Sequence, residues 1–436
     1  MVLGSVVSML GLAACSSPTN APSNLPLMER AAPARLSAPI HRQGRTGIIL
    51  ALSGGGARSA AFGFGVLSEL AEQASPDGGD RSMADDVIAV AGVSGGGILA
   101  AHFALYGSRG LPAFRRDYLD QDVEASLRTA FTPENLVRGY RGGVNDLSGL
   151  GTWLDQRLYH GATLGDLDRT GKAKLILHAT ELDNRAPFPF DRASFRALCS
   201  DYDSFPLAHA VAASAAVPVV FAPVVLENFN ADCPAAVAKA QPTRENSAFA
   251  GHVLKSQARY ASAPDLRYLK LLDGGLVDNL AIRNLIRTMS ASAPSPMTAE
   301  MARQLRRVVV IVADASMRSG DGVSKTIDGP AAPEMMIAAV DAMVDNASRA
   351  SLDALTQESR RWRDRVVRWR CNAKQPVPSC DRFDVDVIRI SLNDLRDGAE
   401  RARVLQLHNK LSLKAEDVDF LAGLGGRLIR HAAASK

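Results

Sequence analysis

Short apolar runs alternate along this chain with glycine-rich breaks and stretches of helical periodicity. Gly47–Leu52 is uniformly apolar, the pattern of a strand buried on both faces. Ser53–Gly56 interrupts it, and Ala60–Ala71 then places Ala61, Phe64, Leu67 and Leu70 at helical spacing. The same order recurs with a strand at Val87–Val90, a turn at Gly92–Gly96 and a helix at Ile98–Leu105. Two further apolar strands are expected at Lys174–Ala179 and Val308–Ala313. Strands alternating with helices predict an α/β fold with a mostly parallel sheet covered on both faces.

Other segments fit this plan less simply. Asn228–Ala263 has weak periodicity and reads as a loop excursion, and Ala291–Met297, with Pro294 and Pro296, as a shorter loop. Pro333–Arg360 predicts a long helix, with Pro333 in its first turn and a core-facing stripe of Met336, Val340, Met343, Val344 and Ala347. Ser412–His431 reads as an amphipathic helix broken by Gly423, Gly425 and Gly426. No internal repeat or sustained heptad is present.

The N-terminus is different in kind. Met1–Ala14 is apolar and uncharged, too short to span a bilayer, and fits the apolar part of a secretory signal. It closes on Leu12-Ala13-Ala14-Cys15, which resembles the lipobox of bacterial lipoproteins, although no Lys or Arg precedes it. That resemblance implies lipidation at Cys15, with Ser16 after it pointing to a lipid-anchored protein of the outer membrane facing the periplasm. Ser16–His41, rich in Pro, Ser and Ala, is then expected to be a flexible tether. Of the other cysteines, proximity favours Cys199–Cys233 and Cys371–Cys380 among three possible pairings, with four buried thiols the alternative. No pair has the spacing of a zinc site.

Composition adds mainly exclusions. The 436 residues are 47% hydrophobic and 22% charged, and 50 basic against 46 acidic residues leave a formal charge of +4. That balance gives no signal for nucleic acid. The arginine clusters at 360–363 and 368–370 read as a solvated face with packed stems.

The chemistry centres on Ser94. Gly92-Val93-Ser94-Gly95-Gly96 is a Gly-x-Ser-x-Gly turn between strand and helix, the form of a nucleophile elbow. Gly92 and Gly96 lack bulk where strand and helix approach. A serine hydroxyl needs a base. Asp273 leaves the run Leu271-Leu272 into Gly274-Gly275 and is a candidate for that role. Gly54, Gly55 and Gly56, followed by Ala57 and Arg58, can turn successive N–H groups toward one point, an anion cradle suited to an oxyanion. Arg58 could brace this loop or meet a substrate phosphate. A dinucleotide fingerprint would need glycine where Ser59 stands.

Taken together, these three elements and Ala210–Phe221, a small-residue helix running into Pro218 and Phe221, resemble the patatin-like phospholipase family in order and spacing, over roughly Thr46–Ile282. The resemblance implies a three-layer α/β/α fold and a Ser-Asp dyad without histidine. Ser94 would be the nucleophile, Asp273 the base and Gly54–Arg58 the oxyanion loop. The implied activity is cleavage of acyl esters of lipids, with no metal or cofactor. Two departures are visible: Ser59 in place of the last glycine of the family's longer motif, and Gly275 where many members have Ala. The expected organisation is a signal and lipobox at 1–15, a tether at 16–45, a catalytic domain at 46–315 and a helical C-terminal extension at 316–436 packed on it. The expected partners are a lipid or phospholipid substrate and, through the anchor, a membrane.

Two other readings stay open in the sequence. One is an α/β-hydrolase triad of Ser94, Asp314 and His408 or His431, with His102 and His178 as structural histidines. The other is an anchored binding protein that kept the fold without turnover.

Overall fold

Seven strands of the described residues line up edge to edge, and the central ones are apolar and buried on both faces. In the computed structural model, which describes residues 21–28, 44–128, 130, 132–233, 248–263, 265–317, 327, 332–374, 377–407 and 410–434, β1 (Thr46–Leu52) is central and almost wholly buried. It pairs in parallel with β2 (Val87–Gly92) and with the later strand Arg307–Asp314. β3 (Lys174–Glu181) continues the parallel set beside β2. Beyond β3 the sheet turns antiparallel, through β4 (Ala186–Pro189), β5 (Val224–Glu227) and β6 (Tyr268–Leu272). With β7 (Arg307–Asp314) and β8 (Asp384–Ser391), the order is β5-β6-β3-β2-β1-β7-β8, with β4 also on β3.

Alternation along β1 divides the core. Ile48, Leu50 and Leu52 pack with α1 (Gly56–Glu72), α2 (Ser94–Tyr106) and the C-terminal helix Ala415–Ala434. Ile49 and Ala51 face the opposite layer, formed by Ile282–Ala291 and Ala332–Cys371. The result is a three-layer α/β/α fold around a mostly parallel sheet.

Several expectations need correction. Asn228–Ala263 holds a helix, Ala248–Ser262, whose buried stripe of Ala250, Val253, Ser256, Gln257 and Tyr260 includes polar residues that dilute its apolar period. The long helix runs to Cys371, and its buried side is Ser351, Leu355, Glu358, Ser359, Trp362 and Val366. Of the stripe read from the sequence, Met343 is 65% exposed and Val344 and Ala347 are half-buried, and the side chains of Met336 and Val340 lie outside the described set. Arg370 is not solvated but buried, donating to the carbonyls of Leu305 and Arg382.

The region after 315 is not only helical, because β8 extends the sheet. Its last helix is unbroken from Ala415 to Ala434, and the glycine is a contact: a Cβ on Gly65 of α1 would run into the Ala422 carbonyl, and one on Gly425 into that of Phe62. Such close backbone approach is open only to residues without a side chain. Arg430 clamps the same pair of helices through Glu69.

Part of the expected tether is ordered. Asn24 donates through Nδ2 to Ser200 Oγ and the Glu227 carbonyl, both at 2.9 Å, and its Oδ1 accepts from the Glu227 N–H. Ser23 and Asn24 thereby cover part of the outer edge of β5, a strand that would otherwise expose unpaired backbone, and 25–27 pairs with 199–201. The two favoured disulfides, Cys199–Cys233 and Cys371–Cys380, are formed. Cys15 lies outside the described residues, and among those described no helix is long and apolar enough to cross a membrane.

Candidate active site

The ends of β1, β2 and β6 converge on one point. β2 delivers Ser94 directly after Gly92-Val93, and the residue adopts φ +52°. That left-handed backbone is costly for a residue with a Cβ. It is held by neighbours on both sides: the Ser94 N–H donates to Ser214 Oγ at 3.2 Å, and the Gly97 N–H to the Val93 carbonyl at 3.1 Å. Gly92 and Gly96 have no room for a Cβ, which would meet the Gly96 carbonyl at 2.6 Å and the Leu52 carbonyl at 2.7 Å respectively.

β6 delivers Asp273 from the other side. Ser94 Oγ donates to Asp273 Oδ2 at 2.8 Å. Oδ1 accepts from the Gly275 N–H at 2.7 Å. The Asp273 backbone is fixed too, its N–H on the Ala216 carbonyl and its own carbonyl accepting from Thr180 Oγ1 at 2.7 Å. Gly274 fits under His178, where a Cβ would meet the His178 carbonyl at 2.6 Å. Burial pushes the Asp273 carboxyl up to about 6, against the pull of the Gly275 N–H and Ser94 hydroxyl, which favour the anion.

The third element is the loop after β1. A Cβ on Gly54 would come within 3.5 Å of Ser94 Cβ, and one on Gly95 would press on the Gly56 carbonyl, so loop and elbow touch. The five residues of this loop are not equivalent. The Gly54 N–H donates to the Asn279 carbonyl and the Ala57 N–H to the Lys410 carbonyl, both at 2.8 Å. Among the described residues the N–H groups of Gly55, Gly56 and Gly95 donate to no protein acceptor. Gly56 opens α1 at φ +60°, so the positive end of that helix faces Ser94. Arg58 is buried beneath the loop, with its guanidinium 3.3 Å from the Cβ position of Gly55. Ser59 Oγ donates to the Ser53 carbonyl, which accounts for the hydroxyl where a glycine was expected.

Three supporting residues were not singled out from sequence, Ser214, Thr180 and Asn279, while His178 was read as a structural histidine. His178 Nε2 lies 3.2 Å from the Gly274 carbonyl, and burial holds this imidazole below its ordinary value. Asn279 follows the Asp-Gly-Gly turn and joins it to the first loop through its carbonyl, with Nδ2 on Ser316 Oγ. Ser214 had a signal, since it sits in the small-residue segment 210–216; Thr180 had none.

The residues of the triad alternative are not gathered here. Asp314 accepts from Ser391 Oγ and the Ser316 N–H, and Arg389 pairs with it at 3.3 Å. His431 is exposed near the C-terminal end of the last helix, and His408 lies outside the described residues. His102 is buried among Tyr106 and Phe114.

The same segments are matched by a family model. The model described as Patatin-like phospholipase matches residues 50–286. The chain belongs to the patatin-like phospholipase family. Ser94, Asp273 and the Gly54–Arg58 loop all fall inside the matched span. Comparison with curated proteins gives no match. Among solved structures, human GIVD cytosolic phospholipase A2 is similar at 11% identity and TM-score 0.38, over 89% of this chain and 61% of the human one. This chain thus spans about three fifths of that protein's length. VipD from Legionella pneumophila is similar at 14% identity and TM-score 0.30, over 94% of this chain and 71% of its own.

Proposed function

We propose that this patatin-like protein hydrolyses acyl esters of lipids with Ser94 as nucleophile and Asp273 as its only base. The observation that carries this is the direct 2.8 Å bond from Ser94 Oγ to Asp273 Oδ2. A serine hydroxyl has one proton, and here it is directed at a carboxylate rather than an imidazole.

In the forward reaction Ser94 Oγ attacks the ester carbonyl carbon as its proton passes to Asp273 Oδ2. Negative charge collects on the former carbonyl oxygen. The N–H groups of Gly55, Gly56 and Gly95 are the donors suited to it, since those of Gly54 and Ala57 are already engaged. Collapse breaks the bond to the alcohol, which takes the proton from Asp273. Water then attacks the acyl-enzyme, giving its proton to Asp273, and Ser94 leaves with that proton restored. A base near 6 is deprotonated at neutral pH while still able to hold a proton in transit.

The N-terminal reading belongs to the same proposal: Cys15 carries a lipid anchor that holds the enzyme at an envelope membrane, facing its substrate. The test is hydrolysis of a soluble p-nitrophenyl ester by Ser94→Ala and Asp273→Asn proteins. Both are expected to lose at least about 10³-fold in kcat. Wild-type rates in either would overturn the dyad.

A further inference from the structure

The helix Pro133–Tyr140 is turned inside out. Its one buried residue is Arg138, 5% exposed, which donates through Nε to the Val144 carbonyl at 2.7 Å and pairs with Asp146 at 3.2 Å. Its large apolar residues point outward instead: Leu136 is 63% exposed and Tyr140 94%. A surface helix ordinarily buries such residues and solvates the arginine.

The loop 217–222 repeats the anomaly beside it. Val217, Val219 and Val220 are all exposed. Val219 is 67% exposed and also has φ +72°. A β-branched residue is disfavoured in that conformation, which Gly or Asn would fill at lower cost. So this position carries backbone strain and solvent-exposed apolar surface together, and neither helps the fold. The loop is tied to the segment that follows this helix: the Val144 N–H donates to the Val219 carbonyl and the Asn145 N–H to that of Val220, while the Gly143 N–H donates to the Arg138 carbonyl and Arg138 Nε to the Val144 carbonyl. The loop abuts the site, since the Ala216 carbonyl accepts from the Asp273 N–H.

We propose that the face of Leu136, Val137, Tyr140, Val217, Val219 and Val220 is where this protein seats on a lipid–water interface, with Ser94 and Asp273 at its margin. The proposal rests on the assignment of that pair as a lipid-cleaving site. An apolar face continuous with such a site delivers it to an aggregated substrate and removes the face from water. The chain's own path supports the same orientation. The Ser23 N–H donates to the Val225 carbonyl and Asn24 bonds to Glu227, so 23–24 runs along β5 in its direction before 25–27 turns onto 199–201. The described segment therefore starts, at 21–23, on the Val224 side of β5, the side of loop 217–222. Cys15 stands six peptide steps before Ala21, a reach of at most about 20 Å. An anchor there would hold this face toward the membrane.

The experiment uses the whole chain carrying Cys15→Ser, so that no acyl group at that position contributes, and Ser94→Ala, so that substrate persists. Sedimentation with phosphatidylcholine vesicles is compared with and without Leu136→Asn, Tyr140→Asn and Val219→Asn together. The triple substitution is expected to weaken vesicle binding by about tenfold or more, with no loss of melting temperature, because Asn suits the Val219 backbone and the other two side chains are exposed. With Ser94 restored, p-nitrophenyl butyrate hydrolysis is expected to persist while hydrolysis of vesicle lipid falls. Equal vesicle binding by the two proteins, or no binding by the parent, overturns the proposal. A dimeric parent that the substitutions turn monomeric also overturns it, making the face a contact between copies. If Ser94→Ala still cleaves the soluble ester, the dyad fails instead, and that result is separate from the vesicle measurement.

Discussion

Ser94 and Asp273 are separated by 179 positions in the chain and by 2.8 Å in space, with hydroxyl and carboxylate in direct contact. Each is fixed by groups the other does not use. Ser94 hangs from Ser214 through its N–H, and Asp273 is held at both backbone ends by Ala216 and Thr180. The segment 214–216 thus braces both residues, since the Gly274 N–H also donates to the Ser214 carbonyl.

The burial of Asp273 sets a pH dependence. As a base it must be ionised, and its carboxyl is pushed up to about 6. The kcat/KM profile for a soluble ester is expected to fall on the acid side with an apparent pKa near 6. Stability runs the other way. The folded value is raised above the ordinary 3.8, so folding favours the protonated form. That contribution is complete below the ordinary value and is lost as pH rises through about 6, on the order of 2–3 kcal/mol. Asp273→Asn is therefore expected to melt higher than wild type at pH 8 and to show no such gain at pH 4. Equal melting temperatures at pH 8 would contradict the cost assigned to this buried carboxylate.

Ser214→Ala leaves the N–H of Ser94 without its acceptor inside a buried elbow. A loss of about 1–3 kcal/mol in stability is expected, read by denaturant unfolding. A kcat reduced about tenfold with KM little changed is expected alongside it, because the lost bond sets the angle of the nucleophile. A KM effect alone would make Ser214 a substrate contact.

The Gly-rich loop offers a sharper contrast. Gly56 has φ +60°, and a Cβ there would meet the Lys410 carbonyl at 2.5 Å. Gly56→Ala is expected to lower kcat by about 10²–10³-fold, the scale of one lost oxyanion donor. Gly78→Ala also sits at positive φ, +78°, but with open space around it, beside Asp77, which accepts from Thr46 at the start of β1, the end away from the site. It is expected to leave kcat unchanged, so the pair separates donor geometry from general backbone strain.

Much of this was legible in the chain. β1 and β2 were readable because central parallel strands are apolar on both faces, and their glycine turns mark where they feed helices. Ser94, Asp273 and the Gly54–Arg58 loop were each visible as residue types at strand ends. What stayed hidden depended on tertiary packing. The helix Ala248–Ser262 buries Ser256 and Gln257, which carry no apolar signal. Gly425 looks like a helix breaker in sequence and is a point of helix–helix approach in space. Which loop amides are engaged depends on the carbonyls of Asn279 and Lys410, distant in sequence from Gly54 and Ala57.

That helix–helix approach gives a stability prediction independent of the chemistry. Gly65→Ala pushes a methyl into the Ala422 carbonyl. The helices must part, at a cost of about 1–3 kcal/mol, and the melting temperature should fall accordingly. An unchanged melting temperature would mean that the C-terminal helix does not pack against α1 at this distance.

The assignment of Ser94 as a nucleophile primed by Asp273 is tested most directly by covalent labelling. The intact protein is treated with a fluorophosphonate, digested, and the adduct located by mass spectrometry. The dyad predicts a single adduct on Ser94, formed rapidly by wild type and at least about 10²-fold more slowly by Asp273→Asn. An unlabelled Ser94, or labelling at an undiminished rate without Asp273, would contradict it.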